Sequence, residues 1–195
     1  MAQLAQSRVL ADRLIPGEGL AWDATRIAAA NLLLVLCSWI ALPLPGTPVP
    51  ITGQTFGVLL VAALLGSRRG ALVMVLYLME GAGGLPVFQP LGMPAAARFF
   101  GPTAGYLLAF PIAAYVTGWI VELRAGKSSW RLLGGLIAGE AIILGEGCAW
   151  LAVAMGLSAS GAAAMGLVPF LPGEAIKVAL VMAAVSGVEL ARRKK

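Results

Sequence analysis

The sequence predicts an all-α integral membrane protein with six transmembrane helices and both termini cytoplasmic. Three observations lead there. Of the 195 residues, 59% are hydrophobic and only 12% charged, with a mean hydropathy of +0.89, whereas soluble globular chains carry about 25% charge. Six apolar runs are separated by Pro- and Gly-rich breaks, and at about 20 residues per crossing they use up the chain and leave no separate soluble domain. The basic residues also fall at alternate breaks, as the positive-inside rule requires.

Residues 1–25 read as a cytoplasmic N-terminal segment. They carry Arg8, Asp12, Arg13, Glu18 and Asp23 without the long apolar core of a signal peptide, and Val9, Leu10, Leu14 and Ile15 suit a segment lying on the membrane. The membrane domain spans 26–191. Its first run, Ile27 to Leu42, stops at Pro43-Leu44-Pro45-Gly46, where proline removes a donor and blocks continuation. Two short runs, Gln54 to Leu65 and Ala71 to Gly81, flank Gly66-Ser67-Arg68-Arg69-Gly70 and suit helices buried among others. Gly81 to Gly101 is a long Gly- and Pro-rich connection, a length that is usually functional when it is not disordered; Leu85, Val87, Phe88, Phe99 and Phe100 argue for order. The remaining helices are expected at 102–123, 132–157 and 172–190, with a basic cytoplasmic tail at 192–195.

Charge fixes the orientation. Of 14 Lys and Arg, Arg8, Arg13 and Arg26 precede helix one, Arg68 and Arg69 lie between two and three, and Arg124, Lys127 and Arg131 lie between four and five; Arg192, Arg193, Lys194 and Lys195 end the chain. Connections 43–53 and 158–170 carry no charge. Arg98 and Lys177 are the two exceptions, both on the outer side. The net charge of +5 therefore reflects membrane orientation and implies no nucleic-acid partner.

Pro172-Gly173-Glu174-Ala175-Ile176-Lys177 opens the last helix. Proline is at home in a first turn, Glu174 faces the positive end of the helix dipole, and Lys177, three residues on, shares its face. A carboxylate and an ammonium at membrane depth read as the floor of a small-molecule pocket, in which Glu174 accepts N–H bonds and Lys177 donates. A local ion pair is the structural alternative. Arg98 offers a bidentate site for a carboxylate, or else meets lipid headgroups. Glu80, at the end of helix three, is either a pocket residue or a solvated end residue. Glu140 and Glu146, six apart, fall on different faces. Asn31, Gln54, Thr55 and Tyr106 are polar groups near helix ends.

Catalytic chemistry finds little to build on. Histidine is absent, Cys37 and Cys148 sit singly in apolar runs, and no G-x-S-x-G, H-E-x-x-H or C-x-x-C occurs. Gly126-Lys127-Ser128 is not a phosphate loop, because Val121 stands where its first glycine belongs. No enzyme, metal site or cofactor is expected.

Five ordered motifs resemble one family. Val49-Pro50-Ile51-Thr52-Gly53-Gln54-Thr55, Leu65-Gly66-Ser67-Arg68-Arg69-Gly70, Gly84-Leu85-Pro86-Val87-Phe88, Gly101-Pro102-Thr103-Ala104-Gly105-Tyr106 and Pro172-Gly173-Glu174-Ala175-Ile176-Lys177 are similar to BioY, the biotin-specific substrate-binding (S) component of energy-coupling factor transporters. The resemblance covers about residues 26 to 190. It implies a six-helix protein of the bacterial cell membrane that captures biotin at its outer face, energised by a transmembrane coupling protein and ABC-type ATPases. It further implies that the ureido ring meets Glu174 and Lys177 and that the carboxylate meets Arg98 or Lys177. Gln54 and Glu80 would be further polar contacts, Phe88, Tyr77, Tyr106 and Trp150 walls, and residues 82–101 a lid. The family usually has Asp where Glu174 stands. The coupling protein would meet small residues four apart on helix one, here Ala24 and Ala28.

The rival reading is a stand-alone secondary carrier or channel for a small carboxylated solute, with Glu80, Glu140 or Glu174 relaying protons. Such carriers often show internal repeats, and the two halves of this chain show none.

Overall fold

The computed structural model describes residues 9–123 and 129–193. Arg8, Arg124, Lys127, Lys194 and Lys195, and with them the Gly126-Lys127-Ser128 segment, lie outside the described residues. Along the chain run α1 (Leu10–Leu14), α2 (Leu20–Trp39), the two-residue strands β1 (Ala41–Leu42) and β2 (Ile51–Thr52), and α3 (Gln54–Ala82). A 3-10 turn follows (Ala95–Phe100), then α4 (Ala104–Glu122), α5 (Ser129–Met155), α6 (Ala159–Gly166) and α7 (Leu171–Arg193). The strands pair antiparallel, Ala41 with Thr52 and Leu42 with Ile51.

Four of these helices, α2, α3, α4 and α5, are long and apolar enough to cross a membrane. Ala159–Gly166 and Leu171–Ala191, bent 51° from each other, qualify together as a fifth span.

The element α3 is a helical hairpin. A straight helix would hold Gln54 and Tyr77 about 35 Å apart, at 1.5 Å per residue, yet Gln54 Nε2 donates to the Tyr77 hydroxyl at 2.8 Å. The turn is at Gly66, whose φ of 78° and ψ of −173° lie in a region essentially reserved for glycine. The end of α4 closes that turn: Glu122 accepts from the Ser67 backbone N–H at 2.9 Å and from the Ser67 hydroxyl at 2.7 Å. The break expected between two short helices at 66–70 is thus real, and each leg has its own set of neighbours.

Two boundaries differ from expectation. The first long helix begins at Leu20, because Asp23 and Arg26 pair within its first turns and no longer oppose the apolar run. Arg26 donates to Asp23 at 2.7 Å and to the carbonyls of Ile15 and Gly17 at 2.7 Å each, while Arg69 from the hairpin turn meets Asp12 at 2.5 Å and Asp23 at 2.7 Å. The uncharged stretch 158–170, expected to be loop, contains α6. Ser158 caps it by accepting from the Gly161 N–H at 3.2 Å, the usual role of serine at that position.

The first leg of α3 is at the centre, with Val58, Leu59, Val61 and Ala62 fully buried against α4 and its neighbours. Large apolar side chains instead point outward from α2 (Leu32, Leu36), α4 (Leu108, Ile112), α5 (Ile137, Val153) and α7 (Ile176, Leu180). A surface this apolar around a bundle is suited to lipid.

Candidate ligand-binding site

At the end of the bundle where the two strands and the 83–103 connection meet, a cleft with about 560 Å³ of empty volume opens, mouth included. Its floor comes from α7 and the first turn of α3. The short ribbon carries Thr52 into position, Gly53 N–H bonding to Ile40 O at 2.9 Å, so that the helix starts at Gln54 with its first side chains facing α7.

There Lys177 Nζ donates to Glu174 Oε1 at 2.7 Å and to Thr55 Oγ1 at 2.9 Å, and the Thr55 hydroxyl donates to Glu174 Oε2 at 2.7 Å. This ring satisfies two of the three ammonium protons and leaves lone pairs on both carboxylate oxygens. Glu174 is buried and Lys177 nearly so, so water competes little with this charge-assisted pair. Glu140 of α5 is within electrostatic reach of both, and its side chain approaches that of Glu174. It does not line the cleft, and Glu146 is exposed on another face of α5.

The opposite wall is the 83–103 connection. Ser38 Oγ donates to Val87 O at 2.5 Å and Trp39 Nε1 to Pro86 O at 3.0 Å, tying it to α2, while Trp150 Nε1 donates to Gly101 O at 2.9 Å from α5. Arg98 is 6% exposed. One of its nitrogens, Nη2, donates to the carbonyls of Gln89 at 2.6 Å and Leu91 at 2.8 Å, and its Cζ lies 5.9 Å from the Phe88 ring centroid. Its Nε is buried without a partner, and among the described residues no carboxylate pairs with it. Burial lowers the guanidinium pKa, with the nearby Tyr77 acting weakly in the other direction.

Apolar walls complete the cleft: Phe88, Tyr106, Leu107, Phe110, Leu144 and Phe170. Tyr106 is held by its hydroxyl, which donates to Gly166 O at 2.6 Å, and its ring occupies the space a Cβ on Gly147 would need; only glycine admits it there.

Of the residues expected at a site, Glu174, Lys177, Arg98, Gln54, Tyr106 and Phe88 are therefore brought to one cleft. Tyr77 stands one layer behind, fully buried, bonded to Gln54 and edge-on to Phe88 with centroids 5.2 Å apart. Trp150 anchors the connection and does not line the cleft. Glu80 is elsewhere: both its oxygens accept from Asn31 Nδ2, at 2.8 and 2.7 Å, in a groove between α2 and the second leg of α3 that Ala24 and Ala28 also line. Sequence reasoning missed Thr55 as a member of the ring, along with Gln89, Thr103 and Phe170. Thr55 and Thr103 sat in motifs already singled out; Gln89 and Phe170 lie in aperiodic stretches that give no facing signal.

Comparison with known proteins gives the family and the fold. The chain is 40% identical over 172 residues to the biotin transporter BioY of Rhodobacter capsulatus, covering 80% of this chain and 87% of that one. It is 38% identical over 158 residues to that of Thermotoga maritima, covering 81% and 89%, and 36% identical over 147 residues to that of Rhizobium etli, covering 72% and 76%. The fold superposes on the crystal structure of the S-component for biotin from an ECF-type ABC transporter with a TM-score of 0.79, at 25% identity, over 90% of this chain and 92% of that one. With the BioY family model matching residues 7–194, this chain belongs to the BioY family.

Proposed function

We propose that this protein is the biotin-capturing subunit of an energy-coupled importer in a bacterial cell membrane. One observation carries the reading: the charged side chains lining the cleft are Arg98, Glu174 and Lys177, whose sum of +1 is balanced by a ligand with a single carboxylate. Biotin also brings two ureido N–H donors and a carbonyl, which match the open lone pairs of Glu174 and the remaining proton of Lys177, while its carboxylate takes the unpartnered Nε edge of Arg98. The bicycle and chain rest on the aromatic walls.

The hairpin at Gly66 supports counting its two legs as separate crossings, giving six with both termini cytoplasmic, residues 26–191 forming the membrane domain between a cytoplasmic segment and a basic tail. Residues 82–101 act as the lid. The chain carries no ATPase motif, so ABC-type ATPases and a transmembrane coupling protein supply the energy. Ala24 and Ala28, exposed on α2, offer that coupling protein a surface of close approach, and Glu80 belongs to that groove rather than to the biotin cleft.

The test is equilibrium binding of labelled biotin to the purified chain in detergent without partners. Saturable binding near one per chain, with a Kd in the nanomolar range (about −12 kcal/mol), is the expected result. Monodisperse protein that binds no biotin would refute the reading.

A further inference from the structure

A second, open chamber adjoins the cleft, with about 760 Å³ of empty volume, mouth included, between the Pro43–Pro48 loop and the segment from Leu91 to Thr103. The two share Pro50, Gln89, Arg98 and Thr103 as a common boundary. Arg98 is the sole charged side chain in the second chamber's lining. It stands at the partition with Nη2 fixed on two backbone carbonyls and Nε buried and unpartnered.

We infer that the site also takes biotin extended through its carboxylate, that is, amide conjugates of biotin with a small polar amine such as the side chain of lysine, with the extension housed in the second chamber. This rests on the reading of the cleft as a biotin site. In that reading the ureido ring is on Glu174 and Lys177 and the carboxylate on Arg98, which lines both cavities, so the end of biotin's chain is assigned to the partition. An amide there keeps a carbonyl for Arg98 to donate to, and its N–H meets a boundary that holds the Thr103 hydroxyl as acceptor, the Gln89 side-chain oxygen already accepting from the Leu91 N–H at 2.7 Å. Beyond the partition, Leu44 and Met93 flank a space that is open rather than walled off, so a chain of four methylenes has somewhere to go. A closed pocket would reject the same conjugate by steric overlap, whatever its polar contacts.

The experiment is competition against labelled biotin on the full chain in detergent, using biotin, biotin methylamide and the amide of biotin with the side-chain amine of lysine. Methylamide and lysine amide lose the same carboxylate charge, so their ratio reads only the extension. The lysine amide is expected to bind within about tenfold of the methylamide. Leu44→Trp, which fills the second chamber from the 43–48 loop, should weaken the lysine amide by more than about tenfold while leaving biotin and methylamide within about threefold. A lysine amide more than about tenfold weaker than the methylamide in the unmodified protein would overturn the inference, as would a Leu44→Trp variant that spares the lysine amide or weakens all three ligands alike. If labelled biotin itself failed to bind, the function proposed above would fall first, and the two failures are told apart by that single control.

Discussion

The hydroxyl of Thr55 donates to Oε2 of Glu174 at 2.7 Å across 119 residues of chain. It also accepts from Lys177 at 2.9 Å, so a neutral side chain on the first turn of α3 orients both members of the ion pair on α7. Replacing it by the isosteric valine keeps the shape and removes both bonds. Thr55→Val should weaken biotin binding by about tenfold, the worth of a hydrogen bond to a charged group, whereas Thr55→Ser should stay within about threefold. Equal losses in the two variants would mean that packing by the methyl group, not the hydroxyl, is what matters.

Glu174→Ala and Lys177→Ala should each cost more than about 2 kcal/mol of biotin affinity, because each strands a buried charge as well as losing a ligand contact. The double variant should cost less than the sum by at least about 0.5 kcal/mol. Strict additivity in a titration of all four proteins would show that the 2.7 Å pair is not maintained in the bound state. Wild-type affinity in both single variants would place the ligand elsewhere.

Biotin methyl ester assigns the carboxylate. With the unmodified protein the ester should bind more than about tenfold more weakly than biotin, the loss of one charge-assisted contact. In Arg98→Ala that difference should shrink to about twofold. Its disappearance in Lys177→Ala instead would turn the ligand end for end.

Gly66→Ala should destabilise the protein by about 1–3 kcal/mol, since alanine does not tolerate this backbone conformation and its Cβ would run into the Glu122 carboxylate. Gly134→Ala is the control: that glycine has open space around its Cβ position and sits inside α5, where alanine gains up to about 1 kcal/mol of helix propensity. Thermal unfolding in detergent should lower the midpoint for the first and hold or raise it for the second. A Gly66→Ala midpoint equal to wild type would contradict the hairpin turn.

Much of this was legible beforehand for a physical reason. Charges are so scarce in an apolar chain that each one out of place is informative: Lys177, Glu174 and Arg98 stood out against the basic-residue pattern, and all three line the cleft. Proline and glycine marked the breaks at 43–50 and 66–70 equally well. Facing was harder to read. Tyr77 and Glu80 are three residues apart on one helix, yet Tyr77 turns inward to Gln54 while Glu80 reaches Asn31 on α2, a choice set by which neighbours surround the helix end. Glu140 shows the same gap, since its spacing from Glu146 separated their faces without revealing that one of them approaches Glu174 and Lys177. Gln89 and Thr103 lie where the chain has no period, and α6 is a short apolar helix in an uncharged stretch that offered no amphipathic stripe to find.

The bond between Gln54 and Tyr77 also sets a rule for sequence change. Inserting or deleting one residue in either leg of the hairpin would rotate every side chain beyond it by about 100° and shift it by about 1.5 Å. In the first leg this would carry Thr55 off α7; in the second it would remove the hydroxyl behind Gln54. The two legs should therefore vary freely in which apolar residue they use and hardly at all in how many, with length changes confined to loops such as 43–50, where no helical register is carried forward.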